Sequence, residues 1–190
     1  MITFSRRKSD ILKKQDKSSI GEWDEKIRDL CKKINSKENY YTLSSCSGRI
    51  VLIKNLEQKQ PDMFVLRKHD KISFNELKKA LEDYKTKKEN KEDLIFKQES
   101  VIIHVACKTI KDAENMLNKA QRAGMKHSGI ISISQKRIVI EMIGSEQLAF
   151  PIFSNEKILV DDNFLKMAVK EANSRLERGW ERIEDLEETI

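Results

Sequence analysis

The sequence predicts an α+β fold, a two-layer sandwich in which helices pack on a mixed β-sheet, and it argues against a Rossmann arrangement. Three observations lead there. Apolar residues gather in short dense blocks of strand length, Ile50 to Ile53, Val101 to Ala106, Ile130 to Ile133 and Ile138 to Ile143. Between the blocks lie charged stretches whose apolar residues recur at helical spacing, so each helix has one buried stripe and solvated remaining faces. Of only six glycines, no two stand within four residues of each other, which removes both a glycine-rich dinucleotide turn and a P-loop.

The elements follow in order. Residues 1 to about 20 form a basic arm with Arg6, Arg7, Lys8, Lys13, Lys14 and Lys17, and up to Lys37 there are eleven basic against six acidic residues. The arm suits phosphate contact or simple solubilisation, and charge alone leaves both open. Trp23, Ile27, Leu30 and Ile34 mark one stripe of a helix from about Glu22 to Asn35. Tyr40 to Ile53 is one strand, or two broken at Gly48, and Met63 to His69 is its antiparallel partner beyond a turn at Pro61. Ser73-Phe74-Asn75-Glu76 is a capping box opening a helix with stripe Phe74, Leu77, Leu81 and Tyr84. The charge run from Lys78 to Asp93 reads as solvated surface or a frayed loop.

Val101 to Cys107 is a strand, and Thr109 with Asp112 starts a helix with stripe Ile110, Ala113, Leu117 and Ala120 that Gly124 stops. Gly129 to Ser134 and Arg137 to Ile143 form a hairpin across Gln135-Lys136. Leu159-Val160 adds a short strand. Asp161 or Asp162 then caps a helix with Phe164, Leu165, Ala168, Val169 and Ala172 on one face, broken by Gly179 ahead of an acidic tail at about 180–190.

At 190 residues the chain is expected to form a single domain. Charged residues make up 36% and aromatics 6%, and the mean hydropathy is −0.62, but the apolar residues are clustered as in a folded protein. The net charge of +6 is concentrated at the amino end, since the tail from Glu181 has five acidic residues and one basic. Cys31, Cys46 and Cys107 are widely spaced with no Cys-x-x-Cys, so neither a disulfide framework nor a metal site is expected. With no apolar run of membrane length and a polar segment after Met1, the expected location is the cytoplasm.

The most informative stretch is Ser44-Ser45-Cys46-Ser47-Gly48-Arg49, hydroxyls, a thiol, a glycine and a guanidinium at the mouth of an apolar strand. Cys46 suits either a nucleophile near a cation or a small buried residue. Arg49 suits a bidentate carboxylate or phosphate, or else a structural ion pair. His104 lies mid-strand between Ile103 and Val105 and is either a packing residue or a proton acceptor near neutral pH. His69 and His127 also lie in or beside strands.

Taken together, Asp16-x-Ser18-x-x-Gly21-x-x-Asp24, the 44–50 run, Ile103-His104-Val105, His127-Ser128-Gly129 and Ala172-Asn173 resemble the tRNA wybutosine-synthesising protein three family over about Phe4 to Arg178. The lysine-rich form without a fused domain is similar to archaeal members. The resemblance implies N4-methylation, with S-adenosylmethionine as methyl donor, of the tricyclic base made from the guanosine 3′ of the anticodon in tRNA(Phe). It implies a binding cleft with Ser45, Cys46, Ser47, Gly48 and Arg49, joined by Ser128 and Gly129 on facing strands for the cofactor. As a hypothesis from the residues' own chemistry, His104 or a carboxylate such as Asp24 accepts the proton, and Arg6, Arg7, Lys8 and Lys17 of the basic arm, with Ser18 and His69, contact tRNA. Asp16, Ser18 and Asp24 belong to an amino-terminal element closing over the cleft. Two departures stand out: Met63-Phe64-Val65-Leu66 occupies the place where the family tends to carry a tryptophan, and His127 replaces an asparagine.

The main alternative is a non-catalytic RNA- or DNA-binding module, which accounts for the charge and leaves Cys46 and its neighbours unexplained. An interaction protein using the acidic tail and Trp180 is a third reading. Saturable binding of S-adenosylmethionine separates the enzyme from both.

Overall fold

Gly48 has φ 93°, a conformation that penalises any Cβ, and it separates β1 (Tyr40–Cys46) from β2 (Arg49–Lys54). The two strands belong to different sheets. The structure is a computed structural model that describes residues 3–13, 23–58, 60–87 and 92–190. Its contacts divide the chain into two compact units, Met1–Ser47 with Val101–Ser145 and Gly179–Ile190, and Gly48–Ser100 with Glu146–Arg178.

The first unit holds α1 (Phe4–Leu12), α2 (Glu25–Ser36), β1, β5 (Ile102–Cys107), α4 (Ile110–Arg122) and the hairpin β6 (Gly129–Ser134) and β7 (Arg137–Ile143). Its strands run in the order β1-β5-β7-β6, all antiparallel. One face carries Ile103, Val105, Ile138, Ile140 and Met142, buried together with Ile27, Leu30 and Ile34 of α2 and Ala113, Met116 and Ala120 of α4. The helices cover that face because each presents an apolar stripe to it. Thr109 and Asp112 form the capping box of α4, and Gly124 follows that helix at φ 83°.

The second unit holds β2, β3 (Phe64–Lys68), α3 (Phe74–Thr86), β4 (Leu94–Glu99), β8 (Leu148–Ser154), β9 (Lys157–Ile158) and the first part of α5 (Asp162–Thr189). Its strands run β3-β2-β4-β8-β9, again antiparallel throughout. Ser73 and Glu76 cap α3 reciprocally, and the Ser73 amide and hydroxyl, with Lys68, hold the Glu76 carboxyl down to about 2. Phe96, Phe150 and Phe164 pack in sequence, which seats α5 on the sheet.

The α+β class stands, with helices layered on sheet, but the expected single mixed sheet is two antiparallel ones. The sequence reading missed β4 and β8, for reasons visible in the strands. Lys97 and Glu99 interrupt the apolar signal of β4, and β8 contains Pro151, tolerated because it sits by a register shift and because β9 pairs only with Phe153 and Ser154. The expected strand at Leu159-Val160 lies at Lys157–Ile158. Within the amino-terminal arm, Phe4–Leu12 is helical, capped by Thr3. In α2 the helix begins at Glu25, and Trp23 packs on the core from outside it. The stripe of α4 runs through Met116, while Ile110 is exposed. Phe74 of α3 is half-buried beneath Lys78 and Lys166 instead of in the core.

Gly179 does not break α5. The helix continues to Thr189, and Ile183 and Leu186, read as part of a tail, are buried in the core of the first unit. No helix among the described residues is long and apolar enough to cross a membrane.

Candidate active site

The open face of the first unit's sheet carries a polar row. Ser44 on β1 stands opposite His104 on β5, His104 opposite Glu141 on β7, and Glu141 opposite Gly129 on β6. A register shift between Thr42 and Ser44 brings Ser44 to the side of the sheet that His104 occupies. Ser44 Oγ lies 2.8 Å from His104 Nδ1, and His104 Nε2 lies 2.9 Å from Glu141 Oε2. At Gly129 an added Cβ would meet nothing within 4 Å, so the row ends in open space. At about 4.8 Å per strand spacing the row is about 14 Å across.

One register step away, Tyr41, Ala106 and Val139 are buried, and Phe4 of α1 packs its ring 5.1 Å from that of Tyr41. Helix α1 therefore covers this step and leaves the Ser44 row half-exposed. Arg137 Nη1 donates to the Tyr41 hydroxyl at 3.1 Å.

The serine-rich run does not point one way. Strand alternation puts Ser44 and Cys46 on the open face and Ser45, opposite Ile103, on the helix-covered face. The Ser45 hydroxyl oxygen is buried with no hydrogen-bond partner among the described residues. Ser47 is 1% exposed, and its backbone N–H and its hydroxyl both donate to Asp24 Oδ2, at 2.9 and 3.1 Å. Asp24, just ahead of α2, thus anchors the end of the run. Ser128 is likewise engaged: its hydroxyl donates to the Met125 carbonyl at 2.7 Å and accepts from the Ile143 amide at 3.1 Å.

In the second unit Arg49 donates from Nε to Glu99 Oε2 at 2.5 Å, its cross-strand neighbour. Its guanidinium also lies 5.1 Å from the centre of the Phe64 ring, as does that of Arg67. The two NH2 groups of Arg49 make no hydrogen bond among the described residues. His69 is half-buried just past the end of β3. A cleft of about 550 Å³ between β3 and α3 is lined by Lys54, Asp62, Phe64, Leu66, Lys79 and Tyr84, among others.

On α1, Arg6 is exposed and Arg7 half-buried, its Nε enclosed with no hydrogen-bond partner among the described residues. Lys8 donates from Nζ to the Lys37 carbonyl, and burial lowers its pKa against the opposing pull of Glu38. Asp16, Lys17, Ser18 and Gly21 lie outside the described residues.

The sequence reading did not single out Glu141 or Glu99. Glu141 had a signal: it is the one carboxylate within the apolar run from Ile138 to Ile143. Glu99 became meaningful only through its pairing with Arg49.

Comparison with known proteins adds the context. A family model described as "Methyltransferase TYW3" matches residues 6–190. The chain is 38% identical over 161 residues to a tRNA(Phe) 7-((3-amino-3-carboxypropyl)-4-demethylwyosine(37)-N(4))-methyltransferase of Methanocaldococcus jannaschii, covering 83% of this chain and 81% of that one. It is 30% identical to the tRNA wybutosine-synthesizing protein 3 homolog of Danio rerio, over 99% of this chain and 74% of that one. Among solved structures, the PH1069 protein from Pyrococcus horikoshii superposes with a TM-score of 0.88 at 34% identity, covering 99% of this chain and 94% of the other.

Proposed function

The chain belongs to the TYW3 methyltransferase family, and on that premise we propose that it methylates N4 of a demethylwyosine-type base in tRNA(Phe), with S-adenosylmethionine as methyl donor. A tRNA substrate is in keeping with a cytoplasmic enzyme. The observation that carries the reading is the hydrogen-bonded row of Ser44, His104 and Glu141, a proton-accepting group on an open sheet face with a vacant glycine position beside it.

The donor sulfonium supplies an activated methyl group, so the protein's tasks are to align the ligands, exclude water and take up one proton. His104 accepts the proton released when N4 is methylated. On the open face of the first unit, Gly129 leaves room for close approach of a cofactor. We assign Cys46 and Gly129 to holding it, with Ser45, whose hydroxyl has no partner among the described residues and lies on the helix-covered face, and Ser47 and Ser128 acting through the backbone they belong to. Asp24 fixes Ser47 through Oδ2 and stays the alternative proton acceptor to His104.

In the second unit, the NH2 groups of Arg49, which make no hydrogen bond among the described residues, suit a carboxylate or phosphate while Nε stays on Glu99. Gly48 gives the chain the turn that precedes Arg49. Phe64 and His69 suit contact with RNA, and the cationic face of α1, Arg6 and Arg7 foremost, suits phosphates.

The test is transfer of labelled methyl groups from S-adenosylmethionine to tRNA(Phe) carrying the unmethylated tricyclic base. Incorporation into that base is expected for the wild type and at least about 100-fold slower for His104→Ala. No incorporation by the wild type, with tRNA bound, would replace this reading by that of an RNA-binding module.

A further inference from the structure

Glu141 stands at the far end of the row from Ser44, and its hydrogen bond fixes which nitrogen of His104 carries the proton. An ionised carboxylate only accepts, so in the neutral ring Nε2 bears the hydrogen toward Glu141 Oε2, 2.9 Å away. Nδ1 is then the bare nitrogen, and it faces the Ser44 hydroxyl at 2.8 Å, which donates to it. Both hydrogen bonds point the same way across three neighbouring strands. Backbone pairing enforces the order, since Ser44, His104 and Glu141 are consecutive cross-strand partners. The three side chains lie on the face opposite the core, and those of His104 and Glu141 are 26% and 31% exposed.

We propose that Glu141 is the positioning residue of the methyl-transfer site and that Ser44, His104 and Glu141 form one proton path, Ser44 being its outer end. The inference rests on the reading of His104 as proton acceptor. When the N4–methyl bond forms and the sulfonium C–S bond breaks, the proton of N4 passes to Ser44 Oγ as the Ser44 proton moves to His104 Nδ1. Nε2 keeps its hydrogen on Glu141, whose charge balances the imidazolium. Ser44 is restored to a neutral hydroxyl, and the path returns to its starting state when His104 gives up its proton to solvent. Without Glu141 the ring is free to adopt the other tautomer, in which Nδ1–H donates to Ser44 and has no lone pair for its proton.

The experiment combines single-turnover methyl transfer with nitrogen-15 spectra of His104, assigned by His104→Asn, in wild type, Glu141→Ala and Glu141→Gln. The wild type is expected to show the Nε2–H tautomer. Glu141→Ala is expected to lose that preference and to slow transfer about 10- to 100-fold, with affinities for S-adenosylmethionine and tRNA unchanged. Glu141→Gln retains an acceptor oxygen and is expected to recover the tautomer and part of the rate. A purely structural role for Glu141 moves neither tautomer nor rate, and that outcome together with an inactive His104→Ala would overturn the inference and leave His104 as the base. Full activity of His104→Ala would instead overturn the base reading, and the inference with it.

Discussion

Asp24→Ala tests how the serine-rich run is held. The Asp24 carboxylate accepts two hydrogen bonds from Ser47, whose backbone N–H and hydroxyl are both out of reach of solvent at 1% residue exposure. Removing the acceptor strands two buried donors, at about 1–3 kcal/mol each, so the loss is about 2–6 kcal/mol. With an m-value of about 2 kcal/mol/M the urea midpoint falls by about 1–3 M. Ser47→Ala gives up only the hydroxyl bond, about 1 kcal/mol, and Asp24→Ala costs correspondingly less in that background. Both tryptophans, Trp23 and Trp180, lie against the core of the first unit, so their fluorescence follows its unfolding. An Asp24→Ala midpoint equal to that of the wild type would refute the anchoring role and leave Asp24 as a candidate proton acceptor alone.

Three further outcomes follow from particular residues. Gly129→Ala should unfold like the wild type, because its Cβ enters empty space, and should weaken S-adenosylmethionine binding about 10-fold in a titration; unchanged affinity would remove Gly129 from the site. Stability measured against pH should hold to about pH 9 and then decline toward 12. Burial pushes the Cys107 thiol and the Tyr40 phenol up to about 12, both helped by Asp112; their neutral forms favour the folded state, so stability is complete below the unfolded values and lost as pH rises through the folded ones. Cys107→Ala should shift the start of that decline upward, and a profile identical to wild type would count against the thiol. Neutralising Arg6, Arg7 and Lys8 together should lower the slope of log affinity for tRNA against log salt by about 2 and not 3, since Lys8 is committed to the Lys37 carbonyl; an unchanged slope would take α1 out of the RNA surface.

Local features were legible in the chain. Both capping boxes, Ser73 with Glu76 and Thr109 with Asp112, were readable because each closes within one helical turn. The hairpin across Gln135-Lys136 and the left-handed Gly124 were readable for the same reason. Gly179 shows where local rules stop: a helix-interior glycine costs about 1 kcal/mol, and burial of Ile183 and Leu186 beyond it, at about 1.5–3 kcal/mol per side chain, outweighs that cost.

The sequence by itself determined the α+β class, most helices and the strand pair joined at Pro61, and it singled out the 44–49 run and His104 as the candidates we propose for the chemistry. Only the tertiary structure decided that the strands form two sheets, that Ser45 faces away from Ser44 and Cys46, that Asp24 accepts from Ser47, and that Glu141 stands in the row with His104. Capping and periodicity act over a few residues and are written in adjacent letters. The row joins partners 60 and 37 residues apart, and its order is set by strand register, which a one-residue bulge beside Ser44 alters and which exists only once the sheet has formed.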